Sequence, residues 1–443
     1  MDVRDFGAAG DGRTLDTGAI QSAIEACGSA GGGTVLFPAG AYVTGSLTLR
    51  SHVTLHLEAG AILLGSEDPA DYPLVRSRWE GVEQETHAPL IGGSSLEGIA
   101  VVGRGTVDGR GEGWWQRFRE RAVTQERAVT QDRPYTAPHE AALRYPRPRL
   151  ISFVDCDNVL IEGLTLTRSP SWTINPVRCH NVTIDKVTIV NPPDSPNTDG
   201  INPDSCTNVH ISNCHIDVGD DCIAIKSGTE AEDIDKRASC ENITITNCTM
   251  VHGHGGVVIG SEMSGGIRNI VVSNCIFEST DRGIRLKSRR GRGGVVEDIR
   301  VTNVIMVDVL CPFTVNLYYA CGAWGDKVVA DRQPHPVTAG TPQVRRISLS
   351  HITARQVKLA AGFVAGLPEM PVEDVSLRDV TISMAVDAQP GYPEMADDME
   401  LMQGAGLHFR NVRGLRLDDV QITGQQGPAL VLDGASGVRI TEG

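Results

Sequence analysis

The chain lacks several features that would classify it at once. Its 443 residues contain no run of about 18 apolar residues, so nothing reads as a membrane-spanning helix and no membrane partner is expected. The start, MDVRDFGAAGDG, has no basic segment leading into an apolar one, so no secretory leader is expected. That points to a cytoplasmic protein, or to a secreted one if a leader has been removed. Positive charge is scarce: Lys and Arg number 40 against 55 Asp and Glu, a net charge of −15. Such a balance argues against nucleic acid as a partner. There is no CxxC and no Cys/His cluster, so no metal and no cofactor is expected. The glycines of GGGTV (31–35) are not followed by GK[ST] and read as a turn, not a phosphate loop.

What the chain does have is a repeat. DNVLIEGL (157–164), HNVTIDKV (180–187), TNVHISNC (207–214), ENITITNC (241–248) and RNIVVSNC (268–275) start 23, 27, 34 and 27 residues apart. Looser copies run on to SGVRITEG (436–443). The copies are short, β-branched and alternating, which is strand periodicity, and no helical pattern separates them. Short strands at this period without crossover helices predict an all-β, single-stranded, right-handed parallel β-helix, each repeat one coil. TLDTGAIQSAIEACGSAG (14–31) has helical spacing and reads as an N-terminal helix capping the first coil. The whole chain, 1–443, is expected to be one β-helix domain. Segments 109–149, with a candidate helix in WWQRFRERAVTQERAV, and 388–404 break the period as insertions.

Stacked coils turn equivalent positions into columns. Asn158, Asn181, Asn208, Asn242 and Asn269 would form an amide ladder at a bend. Cys156, Cys179, Cys206 and Cys240 form one sulfur column, and Cys214, Cys248 and Cys275 another. These are small buried fillers pointing the same way, a poor geometry for disulfides, and a thiol-rich chain fits a reducing compartment.

DGI (199–201), DCI (221–223), GGV (255–257) and RGI (282–284) share a second register. In it Asp199 stacks on Asp221, and Asp220 on His254. Arg285 and Lys287 follow on the outward face, together with Asn202 and Lys226. Three carboxylates this close cannot all titrate freely, and one should keep its proton. A glycosidase needs such a set: an acid for the leaving oxygen and a carboxylate for water. Asp-Gly turns and a calcium site are the competing readings. The run DRGIRLKSRRGRGG (281–294) is either a local anion site or a solvated basic turn.

NTDG (197–200), GDD (219–221), GHG (253–255) and the R-x-K of RLK (285–287), in that order at coil spacing, resemble the polygalacturonase family, glycoside hydrolase family 28. The family's fold is the pectin-lyase-like β-helix. The resemblance extends from VRDFGAAGDG to the C-terminal coils. It implies hydrolysis of α-1,4 bonds in oligo- or polygalacturonate with inversion and without a metal. Carried over, Asp220 corresponds to the general acid, Asp199 and Asp221 to the pair holding water, and His254 to a group tuning the acid. Arg285, Lys287 and Asn197 would bind the substrate, with a galacturonan as partner. Tyr318 is a further subsite candidate, with Tyr319 as its competitor and an ordinary coil tyrosine as the bland reading of either. Lys226 is a subsite candidate or an exposed strand lysine. The stretches 147–174 and 361–377 resemble bacterial exo-acting members, and insertions that wall the groove would make the enzyme release galacturonate from chain ends. The alternatives are an endo-acting enzyme, a hydrolase of rhamnogalacturonan oligomers, a calcium-dependent pectate lyase and a non-catalytic β-helix binder. Oligomeric state is open.

Overall fold

Each copy of the repeat forms a strand that pairs in parallel with the copies before and after it. The computed structural model describes residues 1–126 and 147–441. In it Asp157–Glu162, His180–Asp185, Thr207–Ser212, Cys240–Thr246 and Ile267–Glu278 lie side by side in one sheet. Val159, Val182, Val209, Ile243 and Ile270 share one register position, and Ile161, Ile184, Ile211, Ile245 and Val272 another. All ten are buried. Alternation puts every second side chain into the core, and stacking the coils joins these rows into one apolar cluster running from Val3 to Leu417. The architecture is the expected all-β, right-handed parallel β-helix. Its cap is the helix Thr17–Ser29, which buries Ile20, Ala23, Ile24 and Cys27 at helical spacing.

The amide ladder forms at a corner. Asn158, Asn181, Asn208, Asn242 and Asn269 all have φ between 55° and 59°. Asparagine is among the few residues with a side chain that enter the left-handed region readily, so it can turn the chain where glycine would leave nothing to stack. Each amide donates to the carbonyl of the coil before, at 2.9 to 3.2 Å. A second asparagine column, Asn213, Asn247, Asn274 and Asn303, takes the next corner at φ 54° to 57°. Its signal, the Asn of SNC and TNC, stands in the same repeats. The two sulfur columns are buried and their cysteines are free. In the first, the Cys179 and Cys206 amides donate to the sulfur of the next coil at 3.4 and 3.3 Å.

The insertions pack beside this body. The helix Glu112–Glu126 opens the first, its Trp114 set edge-on against Tyr72 at 5.6 Å; residues 127–146 lie outside the described part. The second is closed on itself by an antiparallel bridge between Gly391 and Met402. A third departure was not anticipated. Leu74–Trp79 and Val82–His87 form an antiparallel hairpin. Its two-residue turn, Glu80 and Gly81, has φ of 46° and 79°, the pair of positive values that a tight hairpin turn requires. Trp79 is buried and stacks on Trp172 at 4.9 Å, with Arg149 over both rings.

The site sits on the other sheet, made of short parallel strands. Ile223–Ile225, Val257–Ile259, Arg282–Lys287 and Cys311–Asn316 pair in order. Bridges Ile174 to Ile201 and Ile201 to Ile223 tie them to the upstream coils.

Candidate active site

The second register holds. Ile201 pairs with Ile223, Ile223 with Val257 and Val257 with Ile284. Asp199 therefore lies over Asp221, and Asp220 over His254. One carboxylate oxygen from each of Asp199, Asp220 and Asp221 lies within 4.8 Å of the others. They line a cleft of about 530 Å³ with Asn197, Lys226, His254, Arg285 and Lys287.

The carboxylates are held differently. Asp199 is buried, and its Oδ2 accepts from Asn202 Nδ2 at 2.8 Å. Asp221 is buried, and its Oδ2 accepts from Lys287 Nζ at 2.8 Å. Asp220 Oδ1 accepts from the Asp221 amide at 2.9 Å and lies 3.2 Å from Nδ1 of the exposed His254. Gly253, at φ 73°, permits that approach, because a Cβ there would stand 2.4 Å from the Asp220 carbonyl oxygen.

Burial, and then the neighbouring Asp220 carboxylate, push Asp199 well above the usual carboxylate range. For Asp220 burial works the same way, but the positive charge of His254 and its hydrogen bond overcome it and hold the group below that range. His254 is pushed up to about 9 by Asp220. Of the two, Asp199 is the one whose surroundings favour the protonated form, because only Asp220 has an imidazolium beside it. The cluster carries a second proton on His254. The same three oxygens could face a cation, but Lys287 and His254 already supply positive charge to two of them.

The cation columns are more enclosed than the sequence implied. Arg282, Arg285, Lys287, Arg290 and Arg292 are all buried, so 281–294 is not a solvated turn. Lys226 is buried too, which corrects its reading as an exposed strand lysine. Its ammonium lies 3.2 Å from Glu262 and 5.0 Å from the Trp172 ring. Glu262 is held down at about 2: burial opposes this, and Lys226 and Arg292 outweigh it. Arg285 makes a two-pronged pair with Glu394 from the second insertion. Arg292 and Arg289 pair with Glu230 at the cleft margin, whereas Arg290 turns away to Glu369. Asn197, at φ 53°, lines the cleft with its Oδ1 accepting from Arg147 at 2.6 Å.

The tyrosine assignment is reversed. Tyr318 turns into the core beneath Arg332, 3.8 Å from its ring centre. Tyr319, just past the strand that ends at Asn316, turns its ring to the cleft, facing Lys287 at 5.4 Å and Arg285 at 5.7 Å. Sequence reasoning missed Glu262, Glu394 and Trp172, none of which repeats between coils. It also missed Glu80 and Val82 of the hairpin and Phe118 of the first insertion, which line the cleft as well.

Known proteins resemble this chain over most of its length. The family described as "Glycosyl hydrolases family 28" matches residues 27–390. A probable polygalacturonase of Vitis vinifera is 36% identical over 395 residues, 87% of this chain and 74% of that one. Among solved structures, a hyperthermoactive exopolygalacturonase from Thermotoga maritima superposes with a TM-score of 0.77 at 30% identity, covering 96% of this chain and 92% of that one. A family 28 exopolygalacturonase from Yersinia enterocolitica gives 0.80 at 25% identity, covering 99% and 77%. The three aspartates, His254 and the R-x-K pair all fall within the matched span, and this chain belongs to glycosyl hydrolase family 28, the polygalacturonase family, as a glycoside hydrolase.

Proposed function

We propose that this enzyme cleaves α-1,4-galacturonosidic bonds at the end of oligogalacturonide chains and releases galacturonate with inversion. The observation that carries the reading is the cleft itself: three carboxylates and an imidazole beside Lys226, Arg285, Lys287, Arg289 and Arg292, in a protein of net charge −15. A cluster of cations in one cleft of an acidic protein supplies N–H donors for the carboxylate of an acidic sugar. Asp220 donates to the leaving glycosidic oxygen, drawing on the proton it shares with His254. Asp221 takes the proton of the water, and Asp199 helps to hold that water in place. Lys287, one edge of Arg285, Asn197 and Tyr319 orient the galacturonate unit, with Lys226 beside them.

Chain-end action is supported by what lines the cleft from outside the repeat: Glu80 and Val82 of the hairpin, Phe118 of the first insertion, residues 229–231 and Met395 of the second insertion. The names of the two structural relatives point the same way. Free cysteines throughout fit a reducing compartment, and with it a cytoplasmic role on imported oligomers.

Inversion usually goes with carboxyl groups roughly 6.5–9.5 Å apart, and the nearest oxygens here are closer. A three-carboxylate site accommodates this by giving the water to one pair and the proton to the third member. Product analysis on polygalacturonate and on trigalacturonate, followed by NMR as products form, tests the whole reading. Monomer as the first product, born as the β-anomer, is expected. A ladder of oligomers would overturn chain-end action, an α-anomer would overturn inversion, and unsaturated products lost with a chelator would identify a lyase.

A further inference from the structure

A guanidinium has five N–H donors, and which of them faces a site depends on what holds the rest. Arg285 Nε and Nη2 donate to Glu394 Oε1 and Oε2 at 2.9 and 3.0 Å. Glu394 stands 109 residues further along the chain and is buried. Thr314 Oγ1 donates to its Oε1 at 2.7 Å, and the Met395 amide to its Oε2 at 3.2 Å. Its segment is strapped down: Arg282 donates to the carbonyls of Tyr392 and Pro393, each at 2.9 Å, and Asn316 to that of Met395 at 3.1 Å.

The other side of Arg285 faces Asp221. Nη1 is 3.7 Å from Asp221 Oδ1, beyond hydrogen-bond distance. That oxygen is buried and accepts no hydrogen bond among the described residues, while its partner oxygen is taken by Lys287. A charge-assisted bond at about 2.8 Å would be the ordinary outcome for such neighbours. What prevents it is the grip on the far edge of the guanidinium.

We propose that Glu394 is a positioning residue: by filling the two-pronged edge of Arg285 it holds the guanidinium off Asp221 and keeps Asp221 Oδ1 unpaired, so that the carboxylate retains its basicity toward the attacking water. This rests on the reading of Asp221 as the group that takes the proton of the water. It also gives the second insertion a part in the chemistry beyond walling the cleft.

The test is Glu394→Gln in the full chain, assayed on trigalacturonate with the melting transition recorded. Loss of the carboxylate charge lets Arg285 swing onto Asp221, so kcat should fall at least tenfold while KM stays within about threefold. In an Arg285→Gln background the same change should cost nothing further in kcat. An unchanged kcat, or an equal loss in both backgrounds, overturns the proposal, since a role only in folding would not depend on Arg285. Should Glu394→Gln fail to fold, Thr314→Ala loosens the same anchor and should lower kcat in the same direction; no change there overturns it as well. A crystal structure of the Glu394→Gln variant separates this inference from the functional reading. Arg285 Nη1 within hydrogen-bond distance of Asp221 Oδ1 is expected, and an unmoved guanidinium refutes the positioning role even if the wild-type enzyme proves inactive on galacturonan.

Discussion

The corner ladders and the cleft are built on the same coils and obey opposite rules. At the corner, five successive coils carry the same residue, Asn158 to Asn269, each bonded to the next. On the cleft sheet one column runs Asn202, Ala224, Val258, Arg285, Thr314, and another Asp204, Lys226, then Lys287 and Asn316. Apart from the two lysines of the second column, no residue type recurs along either. Sameness is what a ladder needs, because identical side chains satisfy one another. Difference is what chemistry needs, because an acid, a water-holder and a cation must stand side by side. In a solenoid the column that stops repeating marks the site.

The sharpest way to break that contrast is to exchange one residue in each region. Asp220→Asn should lower kcat by about 10²–10⁴-fold, the usual worth of a general acid, in a protein that still folds without the His254 contact. Asn208→Ala should do the reverse. It loses ladder bonds on both sides and places alanine at φ 58°. The cost should be about 1–3 kcal/mol of stability at unchanged kcat. Steady-state kinetics and thermal melts on both variants decide. Full activity in Asp220→Asn would end the acid assignment, and lost activity in a folded Asn208→Ala would end the separation of the two regions.

The contrast also explains what could be read from the chain alone. Repeating positions announce themselves, so the coils, the capping helix, the asparagine corner and both sulfur columns were legible from spacing. The columns of Asp199 with Asp221 and of Asp220 with His254 followed from register. What did not follow was everything that reaches the cleft from outside the repeat. Glu394 meets Arg285 across 109 residues, and Arg78 on the hairpin pairs with Asp204 across 126. Such partners are chosen by where insertions fold back, which no periodicity encodes. Tyr318 and Tyr319 differ by one residue at the end of a strand, where a one-step ambiguity reverses the direction of a side chain.

A smaller effect sharpens the cleft side. Lys287 gives one bond to Asp221 and faces Tyr319, and its remaining N–H groups have no bond among the described residues, which leaves them to a sugar carboxylate. Lys287→Ala should raise KM for trigalacturonate about tenfold, with a much smaller rise for the methyl-esterified oligomer. The ratio of the two KM changes is the readout. Equal rises on both substrates would mean that the lysine serves Asp221 alone.

The smallest change expected is a displacement in pH, and it compares two histidines on neighbouring parts of one coil. His254 Nδ1 lies 3.2 Å from Asp220 in the cleft, and His252 Nδ1 lies 2.8 Å from Asp217 on the outer face. With His254 raised to about 9 from an ordinary value near 6.5, its contribution to stability is complete below about pH 6.5 and is lost as pH rises through 9. Asp220, held low, works oppositely: its contribution is present above the ordinary carboxylate value and is lost as pH falls through its own lower one. If the proton that Asp220 delivers comes from this pair, the alkaline limb of kcat/KM, which reports the free enzyme, should stand near pH 9 in the wild type. His254→Ala removes the reservoir and leaves Asp220 to keep its own proton, so the limb should move to the acid side of neutrality. The same substitution should flatten the fall in melting temperature between pH 6.5 and 9. His252→Ala, on the ladder side, should leave the limb where it was. An unmoved limb in His254→Ala would return the delivered proton to Asp199, the one carboxylate whose surroundings already hold it there.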